Sequence, residues 1–334
     1  MNQPRLAVLA LGGTIAMTSS AQGGVVPTLT GEALVAAVPS LAAIARVEAR
    51  SFRNLPGAHL QFADLEALAQ EIRTMRGQGN DGFVVTQGTD TIEETAFALD
   101  RLLADLDVPV IVTGAMRNPT VPGADGPANM LGSAQTALCQ EARGQGCLVV
   151  LNDEVHAARF VRKIHTSSPA AFASPGVGPL GWICEGRVRL LTRVAPMAPL
   201  GAATQMRDAR VSLVTIGLGD DGSMVRAMLQ AGADGMVVEA TGGGHVAPGV
   251  ADALEEAAGK IPVVLASRTG AGETLASTYG FPGGEIDLQR RGLVRSGWLD
   301  GLKARVLLAL LLRRGVVGRE RLEEAFRPWG GGPG

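Results

Sequence analysis

The sequence predicts an α/β protein of two doubly wound domains with parallel sheets, the larger N-terminal and the smaller C-terminal. Three observations carry this. Several short runs are apolar at every position, not at alternate ones, which suits strands covered on both faces. Longer amphipathic segments fall between them, giving the β-then-α rhythm of an open parallel sheet. The 334 residues, 46% hydrophobic and 19% charged, suffice for two cores of ordinary size.

The elements follow in order. Apolar runs at Leu6–Leu11, Gly82–Thr86, Val108–Val112 and Cys147–Leu151 read as strands of the first sheet. Helical spacing places helices over Leu65–Met75, Thr91–Leu103 and Ala128–Ala142. The stretch Val194–Gln205 is rich in Ala and Pro and only weakly periodic, so residues 195–210 read as a linker. The rhythm then resumes, with strands at Val211–Ile216, Gly235–Glu239 and Val263–Ala266 and helices at Met224–Gln230 and Ala251–Ala258. A long helix over Gly301–Arg313 and a short one over Arg319–Phe326 close the chain. The expected organisation is a catalytic domain over 1–194, the linker, a second α/β domain over 211–330, and a disordered tail over 331–334.

Composition narrows the function. A net charge of −2 gives no footprint for nucleic acid. The longest strongly apolar run, Val306–Leu312, is far too short to span a bilayer. The N-terminal apolar stretch, Leu6–Leu11, runs directly into Gly12-Gly13-Thr14, which reads as a buried strand entering a loop and not as an export signal. Cys139, Cys147 and Cys184 form no C-x-x-C pair and are expected as reduced, small core residues of a cytoplasmic protein. His59, His156, His165 and His245 have no metal-ligand spacing, so no metal and no cofactor are expected.

Ligands of open parallel sheets bind beyond the carboxyl ends of the strands. The residues there are Gly12-Gly13-Thr14-Ile15-Ala16, then Gln87-Gly88-Thr89-Asp90-Thr91 with Glu93-Glu94, then Gly114-Ala115-Met116-Arg117 leading to Ala124-Asp125-Gly126-Pro127, then Asn152-Asp153. Small residues, hydroxyls and carboxylates thus converge on one edge. Each also has a plainer reading. Thr14 and Thr89 suit helix N-caps, Asp90 suits a capping carboxylate, and a lone lysine such as Lys163 usually lies on a surface.

Taken together, these segments resemble the bacterial-type L-asparaginases over nearly the whole chain. Gly12–Ala16 and Gln87–Thr95 are the strongest pieces, in the right order and spacing, and Lys303-Ala304-Arg305 in the last long helix is another. The resemblance implies hydrolysis of L-asparagine to L-aspartate and ammonia through a threonine-linked acyl-enzyme. It casts Thr14 as nucleophile and Thr89, Asp90 and Lys163 as a second catalytic group. It casts Gly57, Ala58, Gly88, Ala115 and His245 as substrate contacts. A hydroxyl attacks only when a base takes its proton, and a lysine serves as that base only when burial or nearby charge lowers its pKa. The resemblance further implies a homo-oligomer, a tetramer or dimer, in which a neighbour's second domain, with His245 at the border, completes each site.

The sequence departs from the family pattern in three places. The lid segment Met17–Thr30 lacks the tyrosine that familiar members carry, and the chain's one tyrosine is Tyr279. Gly57 and Ala58 stand where members place Ser and then Gln or Glu. Gln87 stands where many have His. The implied consequence is weaker grip on the substrate's carboxylate and amino group, or preference for glutamine or another amide. Two other classes remain open. Gly217-Leu218-Gly219-Asp220-Asp221-Gly222 is a G-x-G-x-x-G between strand and helix, with Glu239 ending the next strand, as in dinucleotide binders. Against that, Asp220 and Asp221 would repel a pyrophosphate. A catalytically inactive metabolite sensor is the third.

Overall fold

The computed structural model describes residues 3–13, 15, 17–19, 25–27, 30–200 and 206–332, with 17–19 and 25–27 as backbone only. It divides into two compact units, Met1–Pro199 and Leu200–Gly334.

In the first unit the strands are β1 (Arg5–Ala10), β2 (Met17–Ser19), β3 (Val25–Pro27), β4 (Arg46–Ser51), β5 (Gly82–Thr86), β6 (Val110–Thr113), β7 (Cys147–Leu151), β8 (Glu154–Ala157), β9 (Arg162–Lys163), β10 (Phe172–Ala173), β11 (Gly181–Cys184) and β12 (Arg187–Leu190). The helices are α1 (Gly31–Ala36), α2 (Leu41–Ile44), α3 (Phe62–Gly77), α4 (Ile92–Leu102) and α5 (Gly126–Ala137). Eight strands form one sheet in the order β12-β11-β8-β7-β6-β5-β1-β4. β2 with β3, and β9 with β10, form separate antiparallel ribbons.

The central strands are apolar throughout because both faces are covered. Along β1, Leu6, Val8 and Ala10 join the core that contains Leu34 and Leu41 of α1 and α2 and Met130 and Ala134 of α5. Ala7 and Leu9 point the opposite way and are equally buried. At about 25 cal/mol per Å² of apolar area, packing of this kind is the main term holding the sheet and helices together.

The larger sheet is parallel through its centre and mixed at one edge. β4, β1, β5, β6 and β7 are parallel, but β8, β11 and β12 add antiparallel strands at one edge. Two tight turns produce this reversal. Asn152 and Asp153 both have positive φ (52° and 61°), as do Glu185 and Gly186 (51° and 71°), the backbone of a two-residue hairpin loop. The expected linker also begins later than residue 195. Arg159 donates to the Ala195 carbonyl at 2.8 Å and Arg101 donates to that of Ala198, so 195–199 lie with the first unit.

The second unit is a four-stranded parallel sheet, β13 (Val211–Thr215), β14 (Gly235–Ala240), β15 (Val263–Ser267) and β16 (Val294–Arg295), in that order. Its helices are α6 (Ser223–Gln230), α7 (Pro248–Ala258), α8 (Glu285–Arg290), α9 (Gly301–Arg313) and α10 (Arg319–Phe326). α6 and α7 contribute Val225, Val250 and Leu254 to a core with Val238 and Leu265 of the strands. α9 crosses β13, β14 and β15 and is almost wholly buried. That explains Lys303-Ala304-Arg305 structurally. Asp300 caps α9 through the Lys303 amide and pairs with the buried Lys303 ammonium at 2.7 Å, while Arg305 donates to the Val211 carbonyl at 2.9 Å.

Two further expectations change. The tail is not disordered from 331: the Gly331 amide donates to the Phe326 carbonyl, and the buried Arg295 donates to the Gly332 carbonyl at 3.2 Å. Pro333 and Gly334 lie outside the described residues. Of the cysteines, only Cys147 is a core residue; Cys139 is half-buried and Cys184 exposed on β11, and all three are free.

Candidate active site

β5 delivers the central piece. Its last residue, Thr86, is followed by Gln87-Gly88 and a single 3-10 turn, Thr89–Thr91, before α4 begins. The N-capping reading fails for Thr89, which opens that turn and whose hydroxyl makes no capping bond. Instead its Oγ1 accepts from Lys163 Nζ at 2.9 Å, and the same ammonium donates to Asp90 Oδ1 at 2.9 Å. Lys163 sits on β9, opposite Phe172 of β10. Its side chain is only 15% exposed, whereas Asp90 is 67% exposed. Residues 73 and 74 positions apart are thus joined by one half-buried cation. An ion pair with so open a carboxylate contributes about 0–1 kcal/mol to stability.

The loops around this group meet backbone to backbone. A Cβ on Gly13, already at φ +87°, would lie 2.0 Å from the Gly88 nitrogen, so no other residue fits there. A Cβ on Gly57 would lie 2.8 Å from the Gly88 carbonyl oxygen. The ends of β1, β4 and β5 are therefore held together because glycine lets them touch. Gln87, fully buried behind them, donates from Nε2 to the Gly88 carbonyl and to Thr91 Oγ1, and Thr91 in turn donates to the Gly57 carbonyl at 2.9 Å. Gln87 thus braces the loops from behind.

Ala115, buried, follows β6 in a loop held by Asp125. The carboxylate accepts from the amides of Met116 at 3.0 Å and Arg117 at 2.8 Å. Asn129 donates to Asp125 and to the Gly114 carbonyl, and its Oδ1 accepts from the Asn152 amide at 2.9 Å. It therefore ties the loops after β6 and β7 together. Sequence reasoning missed Asn129; the signal was its place one turn after the Asp-Gly-Pro of the helix start.

The remaining expected residues fall as follows. Gly57 and Gly88 touch each other at the site; Ala58 is next to them but exposed. Thr14 lies outside the described residues, as does part of the lid segment. His245 is in the second unit. Its Nε2 meets the Glu285 carboxylate at 3.1 Å, and its ring makes edge contacts with Tyr279 and Phe281. Glu285 is completely buried. Burial pushes its pKa up, but the amides of Tyr279 and Thr278 and the His245 contact outweigh that and hold it below the ordinary range. Glu285 was not foreseen.

The dinucleotide reading loses its loop. Asp220 accepts from the Gly217 amide and Asp221 from the Ser223 amide at 2.9 Å, so the loop's own carboxylates occupy the donors a pyrophosphate would need. Glu239 is engaged by the Thr215 hydroxyl at 2.7 Å.

Comparison with known proteins gives the family. A family model for the asparaginase N-terminal domain matches residues 5–195, and one for the glutaminase/asparaginase C-terminal domain matches residues 210–326. The chain is 38% identical to a "Probable L-asparaginase" of Deinococcus radiodurans, covering 97% of both chains. It is 36% identical to "L-asparaginase 2" of Escherichia coli K12, over 92% of this chain and 89% of that one. A solved "Probable Cytoplasmic L-asparaginase" from Campylobacter jejuni superposes with a TM-score of 0.88 at 31% identity, covering 97% of this chain and 99% of that one.

Proposed function

The chain belongs to the bacterial-type L-asparaginase family, and from that premise we propose that it hydrolyses L-asparagine to L-aspartate and ammonia. The observation that carries the reading is the Lys163 ammonium, half-buried and 2.9 Å from both Thr89 and Asp90 beside the glycine-lined strand ends. Thr14 is assigned as nucleophile from its place in Gly12–Ala16. Its oxygen adds to the side-chain amide carbon, the C–N bond breaks, and ammonia leaves with the hydroxyl proton. Water then cleaves the threonine ester, returning Thr14 and releasing the carboxylate. Thr89 passes protons between the reacting atoms and Lys163, and Asp90 keeps the lysine on that path. Backbone N–H groups near Thr89 serve the oxyanion, an effect typically worth about 3–4 kcal/mol. Gly57, Ala58, Gly88 and Ala115 line the substrate.

The test is ammonia release from asparagine, glutamine and D-amino-acid amides by the purified protein and by Thr14→Val. Release from asparagine that drops by several orders of magnitude in the folded variant supports the assignment. Near-native turnover in Thr14→Val sinks it. Glutamine is the second reading, favoured by the small, exposed Ala58, which leaves room beside the substrate; a higher kcat/KM on glutamine would establish it.

We further infer a catalytic first domain and a homo-oligomer, a tetramer or dimer, in which His245 faces a neighbour's site. Leu218, Met224, Tyr279 and Phe281 support this as large apolar side chains left exposed on the second unit. A monomer in light scattering at working concentration would overturn it. A cytoplasmic location is supported by the Campylobacter relative's name and by three free cysteines.

A further inference from the structure

A second cluster of polar side chains lies inside the first unit, outside the site just described. His156, on β8, is 1% exposed. Its Nδ1 is 3.0 Å from Ser174 Oγ and its Nε2 3.1 Å from Glu154 Oε2. A carboxylate only accepts, so Nε2 carries the proton; burial holds the ring neutral, and Nδ1 is then left to accept from the Ser174 hydroxyl. Serine, histidine and carboxylate in a row suggest a hydrolytic triad, but Ser174 is 4% exposed and its hydroxyl proton is already directed at the ring. No substrate carbonyl can reach it.

The position of Ser174 points elsewhere. It directly follows β10, whose Phe172 and Ala173 pair with Lys163 and Arg162 of β9. The β9–β10 ribbon is not part of the eight-stranded sheet, whereas β8 is. The carbonyl of Ser174 also accepts from the amides of Val177 and Gly178, so the turn that ends the ribbon is closed on this residue. Within that turn the bond from Ser174 to His156 fastens the ribbon's second strand to the sheet. We propose that Glu154, His156 and Ser174 form a positioning relay for Lys163, setting the strand against which the lysine's backbone is registered and so keeping Nζ on Thr89 and Asp90. His156 and Ser174 are positioning residues and touch no substrate. The inference rests on Lys163 being the catalytic amine.

The test uses Ser174→Ala, which removes one hydroxyl, and two replacements of His156 that separate its nitrogens. Asparagine places an acceptor near the Nδ1 position; glutamine reaches toward Nε2 and Glu154. In variants whose melting shows them folded, Ser174→Ala and His156→Gln should each lower kcat about tenfold with KM for asparagine unchanged, as expected of a misplaced catalytic group. His156→Asn should recover most of that loss. In the Lys163→Met background, Ser174→Ala should cost nothing further, because the group it positions is gone. An unchanged kcat in folded Ser174→Ala, or the same tenfold loss with Lys163 already removed, overturns the relay. An unchanged kcat in Lys163→Met alone would instead overturn the catalytic role of the lysine.

Discussion

Thr89, Asp90 and Lys163 divide one cation between a buried hydroxyl and an open carboxylate, and this division separates activity from stability. Because Asp90 is 67% exposed, removing its charge should cost the fold little. The loss should appear in kcat. Lys163→Met and Asp90→Asn are each expected to lower ammonia release by orders of magnitude, with the double variant little worse than either single one, since members of one proton-transfer unit are not additive. Multiplying losses in that cycle would mean independent roles. The pair Gly57-Ala58 allows a second test at this scale. Replacing both by the family's Ser and Gln would be uninformative, because a Cβ on Gly57 meets the Gly88 carbonyl oxygen at 2.8 Å and forces the strand ends apart. Ala58 is exposed and free to change. Ala58→Gln alone should lower KM for asparagine by about tenfold or more, as one added hydrogen bond to a charged group at about 1.5–3 kcal/mol implies, while kcat holds. An unchanged KM for every amide tested would place Ala58 away from the substrate.

At the scale of elements, the loops beyond β6 and β7 are held by side chains more than by their own backbone. Asp125 satisfies the amides of Met116 and Arg117, and Asn129 bridges to Asn152. Asp125→Ala leaves those amides without their charged acceptor, so it should lower stability in urea by about 1–3 kcal/mol and reduce kcat by freeing Ala115. Asp125→Asn keeps one acceptor oxygen and should fall between; a variant matching the native protein in both measurements would remove Asp125 from this role. The same elements explain what the sequence makes legible. β1, β5, β6 and β7 are covered on both faces and carry an unbroken apolar signal. β4 reads Arg-Val-Glu-Ala-Arg-Ser because it is the half-exposed edge, where charge at alternate positions hides a strand. β8, β11 and β12 are short and marked only by their turns, Asn152-Asp153 and Glu185-Gly186, which were the available signal. Thr89 and Asp90 follow a clear strand and were visible from pattern alone. Lys163 lies on a two-residue strand with no periodicity, and only resemblance could find it. His156 and Glu285 reach Ser174 and His245, 18 and 40 positions away, and no local pattern marks those contacts.

For the whole molecule, buried titratable groups couple folding to pH, and His156 and Glu285 act in the same direction. His156 has its pKa lowered, chiefly by burial, with Glu154 opposing. The unfolded chain, with the ordinary value of 6.5, therefore binds this proton before the folded one does. Above that value both states are neutral at His156 and it contributes no pH dependence. As pH falls below it, the unfolded state gains a proton the folded state refuses, and stability declines until the folded pKa is passed. One proton gives a slope of at most about 1.36 kcal/mol per pH unit. Glu285 is the depressed-carboxylate case: its contribution is complete above its ordinary value of 4.5 and is lost as pH falls through the lower folded value. Urea unfolding followed from pH 8 to 4 should thus show a plateau, then a decline beginning near pH 6.5 before ordinary carboxylates titrate. His156→Leu fills the site with an apolar side chain and removes the proton. Its curve should stay level through the interval where the native protein's declines and fall only at the carboxylate step. If both proteins lose stability in parallel between pH 6.5 and 5, the proton responsible is not the one on His156, and the neutral ring assigned to the Ser174 contact is wrong with it.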